Sequence, residues 1–295
     1  MIHERQAIAP IHLVNDFNDD RSTVECEQEI RRVFRANHLL YEAPHSISNV
    51  LPFNVTDGAF KIFQLVNNLR RHRSPGIFIG VVDPGVGSSR RGVVVTTEEN
   101  YTFVGPDNGL FTPALERLTI TGAFQIHPDG FRESSATFHG RDQFSPIAAE
   151  IASGNRPERL KQLERIAAQT LIRKEFAEGQ IVEMDGYPNV KIWQKTMGIP
   201  RNARGERAKS LTVTQPQPYR HRNLLWTRRL TIPVANCFED VPDGSWLVYE
   251  GSSGREPGSI NGLIEIAVRN RSGKYGAGNR LRARTGDVLG LSWQY

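Results

Sequence analysis

The chain has 295 residues, 38% hydrophobic and 23% charged, and 37 Lys+Arg against 32 Asp+Glu give it a net charge of +5. With a mean hydropathy of -0.43 and no stretch of membrane-spanning length, it reads as a soluble globular chain long enough for two cored domains. The basic excess is dispersed without a lysine tract, so no nucleic-acid partner is expected, and Cys26 and Cys237, lacking CxxC spacing, indicate neither a disulfide framework nor a thiolate metal site.

In chain order, the first residues show no basic run followed by an apolar core, from which a cytoplasmic location is expected. Residues 8–14 read as a strand, 24–35 as an amphipathic helix and 58–70 as another, its apolar side formed by Phe60, Phe63, Leu65 and Val66. The run Ile77-Phe78-Ile79-Gly80-Val81-Val82 is continuous, apolar and β-branched, as a strand buried on both faces requires. Strands at 92–97 and 102–104 flank a polar turn, and a helix at 145–152 is ended by Gly154-Asn155. Residues 157–176 read as a charged connecting helix. After it the pattern changes to short strands at 181–184, 211–214, 230–233, 246–250, 264–268 and 288–293, with 200–229 an arginine-rich, solvated excursion. The expected architecture is an α/β domain with a largely parallel central sheet over 1–165, then a smaller antiparallel, β-barrel-like domain over 178–295.

Three segments carry candidate chemistry. The first, Asp83-Pro84-Gly85-Val86-Gly87-Ser88-Ser89-Arg90-Arg91, breaks the apolar strand and brings one carboxylate and two guanidiniums out at its carboxyl end, where open α/β sheets bind ligands. It is neither a dinucleotide fingerprint, which needs glycine where Arg90 stands, nor a P-loop, which needs a Gly-Lys-Ser/Thr ending. Gly105-Pro106-Asp107-Asn108-Gly109 and Phe138-His139-Gly140-Arg141-Asp142-Gln143-Phe144-Ser145-Pro146 complete the set. Arg91 and Arg141 are read as structural partners of Asp107 and Asp142.

The order and spacing of these segments, with Leu51-Pro52-Phe53-Asn54-Val55 before them and Gly251-Ser252-Ser253-Gly254 after, resemble the S-adenosyl-L-methionine hydrolases that form adenosine, also called SAM hydroxide adenosyltransferases. These are relatives of fluorinase and chlorinase. The resemblance spans nearly the whole chain and implies attack of activated water on C5′ of S-adenosylmethionine, with Asp83, Arg90 and His139 as the water-activating residues. It leaves open which of Asp83 and His139 is the base. Because the sulfonium leaves as a neutral thioether, no metal or cofactor is called for beyond the substrate itself.

By the same resemblance Asp16 takes the ribose hydroxyls, and Asp20 or Asp185 meets the methionine ammonium. Tyr187 and Phe238 face the adenine, Asn189 bonds its edge, and Ser252-Ser253 or Ser259-Ile260-Asn261 binds the carboxylate. This chain has Asn15-Asp16-Phe17-Asn18 where the family has Thr-Asp-Phe-Gly, and Pro188 where it has Gly. The resemblance also implies a homotrimer with sites between subunits. The alternatives are a halide adenosyltransferase, whose members carry an extra loop after the Asp-Pro-Gly region and Tyr-Ser where His139-Gly140 stand, and a non-catalytic S-adenosylmethionine-binding protein.

Overall fold

A computed structural model describes residues 9–41, 43–127, 131, 135–214, 219–221, 224–226, 229–253, 262–269 and 276–295. The chain divides into two units, Met1–Glu175 and Phe176–Tyr295.

In the first unit one sheet is built from β1 (Ile11–Asn15), β2 (His45–Ile47), β3 (Gly76–Val81), β4 (Gly92–Thr97), β5 (Tyr101–Pro106), β6 (Ile120–Ile126) and β7 (Leu163–Arg165), in the order β2-β1-β3-β5-β4-β6-β7. Parallel ladders join β2, β1, β3 and β5. Because β4 is antiparallel to both β5 and β6, β6 runs with the first four, and five of the seven strands share one direction. The central strands β1 and β3 are buried throughout, since both their faces are covered. Helices α1 (Asp20–Ala36) and α4 (Ser145–Ala152) pack Ile30, Phe34, Ile147 and Ala148 against Leu13, Ile77 and Ile79. Helix α2 (Val55–His72) packs against β1 and β3, and the short α3 (Thr112–Leu115) packs against α2.

Both long helices begin where their sequences dictate. Asp19 caps α1 by accepting the N–H of Ser22 at 2.6 Å, and Asn54 caps α2 by accepting that of Asp57 at 3.0 Å. From β1 the chain winds outward to β2 and then returns past β1 to β3. The winding therefore reverses between β1 and β3, the place where doubly wound sheets open a crevice at the strands' carboxyl ends.

The connecting helix expected at 157–176 is replaced by two single 3₁₀ turns, Pro157–Arg159 and Ala168–Thr170, flanking β7. The segment has no apolar stripe to bury as a helix, and its backbone is claimed by the sheet. β7 pairs with β6, Arg91 donates to the Thr170 carbonyl at 2.6 Å, and the Ile172 N–H donates to Asp107 at 2.8 Å. Arg91 and Asp107 are also ion-paired, the structural role read from the sequence.

The second unit is antiparallel. β10 (Ser210–Thr214) lies between β13 (Arg229–Pro233) and β16 (Gly290–Gln294), while β8 (Ile181–Met184), β9 (Val190–Ile192), β15 (Ile264–Val268) and β14 (Trp246–Glu250) form a four-stranded sheet. Single bridges, Gln180 to Val288 and Val234 to Val248, join the two sheets at both ends in a barrel-like ring around Ile192, Leu211, Ile232 and Ile266. Within the expected excursion at 200–229, β11 (Tyr219–His221) and β12 (Leu224–Trp226) pair as a hairpin. Among the described residues no helix is long and apolar enough to cross a membrane.

Candidate active site

Asp83 stands two residues past the end of β3 and is buried. The turn that follows folds back on it. Its carboxylate accepts the Gly85 N–H at 3.2 Å, the Ser88 hydroxyl donates to the Gly85 carbonyl at 2.6 Å, and the Arg90 N–H donates to that hydroxyl at 3.2 Å. Gly87 lies at φ +79, and a Cβ there would come within 2.9 Å of the Ala136 carbonyl oxygen, so this turn and the 135–139 segment meet only through glycine. Arg90 is thereby returned to Asp83, with Nε donating to Oδ1 at 3.1 Å and Nη2 donating to Oδ2.

The same Nη2 lies 3.0 Å from Nδ1 of His139. A guanidinium has only donors, so Nδ1 must accept, and the neutral imidazole then carries its proton on Nε2. Burial first, and the Arg90 charge second, hold the His139 pKa below its ordinary value, so the ring is neutral at pH 7. His139 leads into a π-helical turn, Gly140–Phe144, of the kind found at functional sites. A Cβ on Gly140 would stand 2.7 Å from Val81 Cγ1, so the turn seats directly on the end of β3. Arg141 pairs with Asp142 at 2.6 Å and with Glu25 of α1 at 2.8 Å.

Asp16 immediately follows β1, and its Oδ2 accepts the N–H of Phe53 at 2.6 Å. Partial burial raises its pKa, and the nearby charge of Asp83 adds to the rise. A cleft of about 230 Å³ opens beyond the carboxyl ends of β1 and β3, lined among others by Asp16, Phe53, Asp83, Val86, His139 and Gly140. Asp16, Asp83, Arg90 and His139 are thus brought together. Asp20 is not: it is exposed in the first turn of α1 and does not line the cleft, its neighbour Asp19 being the helix cap. The contribution of Phe53, a backbone donor to Asp16, is one that side-chain chemistry could not reveal; the Leu51-Pro52-Phe53 segment was the available signal.

The remaining candidates belong to the second unit. Asp185 accepts the N–H groups of Tyr187 and Asn189, both at 2.9 Å, and the Asn189 side chain at 3.0 Å. Tyr187 is 82% exposed while Asn189 is buried. Phe238 is partly exposed with its ring 5.4 Å from that of Tyr249. Ser252 is exposed, and the Ser253 carbonyl accepts the Leu263 N–H at 2.8 Å. Ser259, Ile260 and Asn261 lie outside the described residues. Among the described residues, no three His, Cys, Asp or Glu side chains are grouped to hold a metal ion.

A crevice at the reversal point of an α/β sheet, holding an arginine-bridged Asp and His and accompanied by a barrel-like unit, defines a two-part protein equipped to act on a small polar molecule. The SAM hydroxide adenosyltransferase N-terminal domain matches residues 11–161, and the chain belongs to that family. An (R)-S-adenosyl-L-methionine hydrolase of Thermus thermophilus is 28% identical over 281 residues, 91% of this chain and 95% of its own. The hydrolase of the same name from Salinispora arenicola is 31% identical over 225 residues, covering 72% and 76%. Among solved structures, an uncharacterized conserved protein from Thermotoga maritima, 23% identical, covers 96% of this chain and all of its own with a TM-score of 0.69. A conserved hypothetical protein from Thermus thermophilus, 26% identical, shares the fold with a TM-score of 0.65 over 96% of this chain.

Proposed function

We propose that this protein hydrolyses S-adenosyl-L-methionine to adenosine and L-methionine by attack of water on C5′. The observation that carries the reading is the hydrogen-bonded set Asp83, Arg90 and His139 in an open cleft, together with relatives named as (R)-S-adenosyl-L-methionine hydrolases.

The geometry also favours one division of labour. Asp83 Oδ1 already takes two donors, the Arg90 Nε and the Gly85 N–H, whereas Oδ2 takes Arg90 Nη2 and keeps an acceptor position for water. His139, protonated at Nε2 and accepting at Nδ1, has a donor to offer and no acceptor. Asp83 is therefore assigned as the base, and His139 as the group that orients the water oxygen. The water proton passes to Asp83, the oxygen bonds to C5′, and the C5′–S electron pair leaves with methionine as a neutral thioether. No cofactor is required by this scheme.

The halide alternative is disfavoured because its Ser would replace Gly140, whose site has no space for a Cβ beside Val81, and because β4 starts directly after Arg91. The lining of the cleft comes from the first unit alone, and its Phe53 is 70% exposed. With Tyr187 and Phe238 exposed on the second unit, this supports a homotrimer in which a neighbouring subunit completes each site.

The test is turnover in ¹⁸O-water at physiological chloride. The label is expected in the adenosine 5′-hydroxyl and not in methionine. A dominant halonucleoside product, or label in methionine, overturns the reading.

A further inference from the structure

The first turns of α2 hold a charge pair for which the water chemistry has no use. Lys61 and Asp57 lie one helical turn apart with 9% and 1% of their side chains exposed, Nζ 2.6 Å from Oδ2. Burying two charges costs several kcal/mol that their attraction offsets only in part, and apolar residues of similar size often hold a helix at least as well. Stability alone is a poor reason for the pair.

Its other partners supply a better one. Asp57 Oδ2 also accepts the N–H of Leu51 at 2.8 Å, and Lys61 Nζ donates to the carbonyl of Asn49 at 3.1 Å. The backbone of the 49–53 segment is thus tied from beneath at two points. At its far end the Asn54 N–H donates to the Leu51 carbonyl at 3.0 Å. Between these ties Phe53 sits at φ +58, a left-handed conformation that a bulky residue keeps only where its surroundings impose it. In that conformation its N–H reaches Asp16 and its ring lines the cleft. The helix turn that makes the ties is itself seated close to Asp83, because a Cβ on Gly58 would come within 2.8 Å of Val82 Cγ2.

We infer that Asp57 and Lys61 are positioning residues for the ribose end of the site, acting through the 49–53 segment on Phe53 and Asp16. The inference rests on reading the cleft as the S-adenosylmethionine site. Pre-organising the segment in the free protein removes an ordering cost from binding, so the pair should act on affinity and ribose selectivity and leave water activation alone.

The experiment compares the full-length parent with Lys61→Met, using Asp16→Ala as the reference for complete loss of the ribose contact. Without any substrate, hydrogen exchange of the peptide spanning 49–54 should speed up by about tenfold in Lys61→Met. In turnover, KM for S-adenosylmethionine should rise by about tenfold with kcat within about threefold, and discrimination against the 2′-deoxy analogue should fall toward that of Asp16→Ala. If Lys61→Met does not fold, Leu51→Pro, which removes the N–H given to Asp57 and fixes φ at that position, is read by the same measurements. A folded variant whose exchange, KM and ribose discrimination all match the parent overturns the inference. The exchange result needs no turnover, so a parent unable to hydrolyse S-adenosylmethionine would sink the proposed function while leaving this inference to be decided on its own.

Discussion

The two units hold their candidate residues in opposite ways. In the first, Asp83 and Arg90 share one turn and His139 comes from a segment 49 residues beyond Arg90, yet each touches the next, and the side chains of Asp83 and Arg90 are buried. In the second, Asp185 spends its carboxylate on its own turn, while Tyr187 and Ser252 stand open to solvent. Groups that move a proton must be oriented before the reactant arrives, and a low-dielectric setting makes their interactions strong. Flat or hydroxylic contact groups need only to be available, and they lose solvent when the ligand arrives. In the proposed reading the first unit preforms its proton-handling set beside the ribose contact of Asp16, while the second unit offers open contact groups alone.

The sharpest way to break this comparison is Asp83→Asn, which preserves size and removes the charge. Turnover is expected to fall by about 10²-fold or more with S-adenosylmethionine still bound, since a positioned base is typically worth that much. A folded Asp83→Asn protein, checked by its melting curve, that turns over within a few-fold of the parent would remove the first unit's claim to the chemistry.

The next effect is on pH. His139 is held below its ordinary pKa, so its neutral, Arg90-bonded form persists below pH 6.5, and protonation at Nδ1 breaks that bond only at lower pH. An acid limb in kcat/KM, steepening to about tenfold per pH unit, is expected on the acid side of 6.5. A limb centred above 6.5, or one unmoved in His139→Gln, contradicts the arrangement.

The smallest effect belongs to the second unit. Tyr187→Ala should weaken S-adenosylmethionine binding by about 3–10-fold, the worth of one aromatic stack, and leave kcat unchanged. A loss of kcat with KM unaltered would show that recognition and chemistry are not divided as the comparison holds.

Much of this was legible in the sequence. Strands β1, β3, β4 and β5 announce themselves as apolar runs, and the turn from Asp83 to Arg90 reads directly from its proline and glycines. β2, β7 and β9, at three residues each, are too short to show a period, and they exist because neighbouring strands offer ladders to complete. Within the site, residue types could nominate Asp83, Arg90 and His139, but not the single guanidinium atom shared between the other two, which leaves His139 without a free acceptor. Asp20, which the resemblance offered for the methionine ammonium, stands exposed in the first turn of α1, where an acid is first a partner for the helix.

The adjacency of Asp16 and Asp83 in one crevice bears on departure as well as arrival. The mutual repulsion that helps raise Asp16 is relieved by a cation between or beside the two carboxylates, and a sulfonium supplies one. Reaction moves that charge off sulfur, leaving it as the proton that Asp83 takes from water. The moment the C5′–S bond breaks, the crevice holds an uncharged nucleoside and thioether, and the attraction that drew the reactant in no longer detains the products. In the proposed reading the crevice, with Asp83 already paired to Arg90, favours the sulfonium over the thioether it becomes, so the substrate is held more firmly than the products.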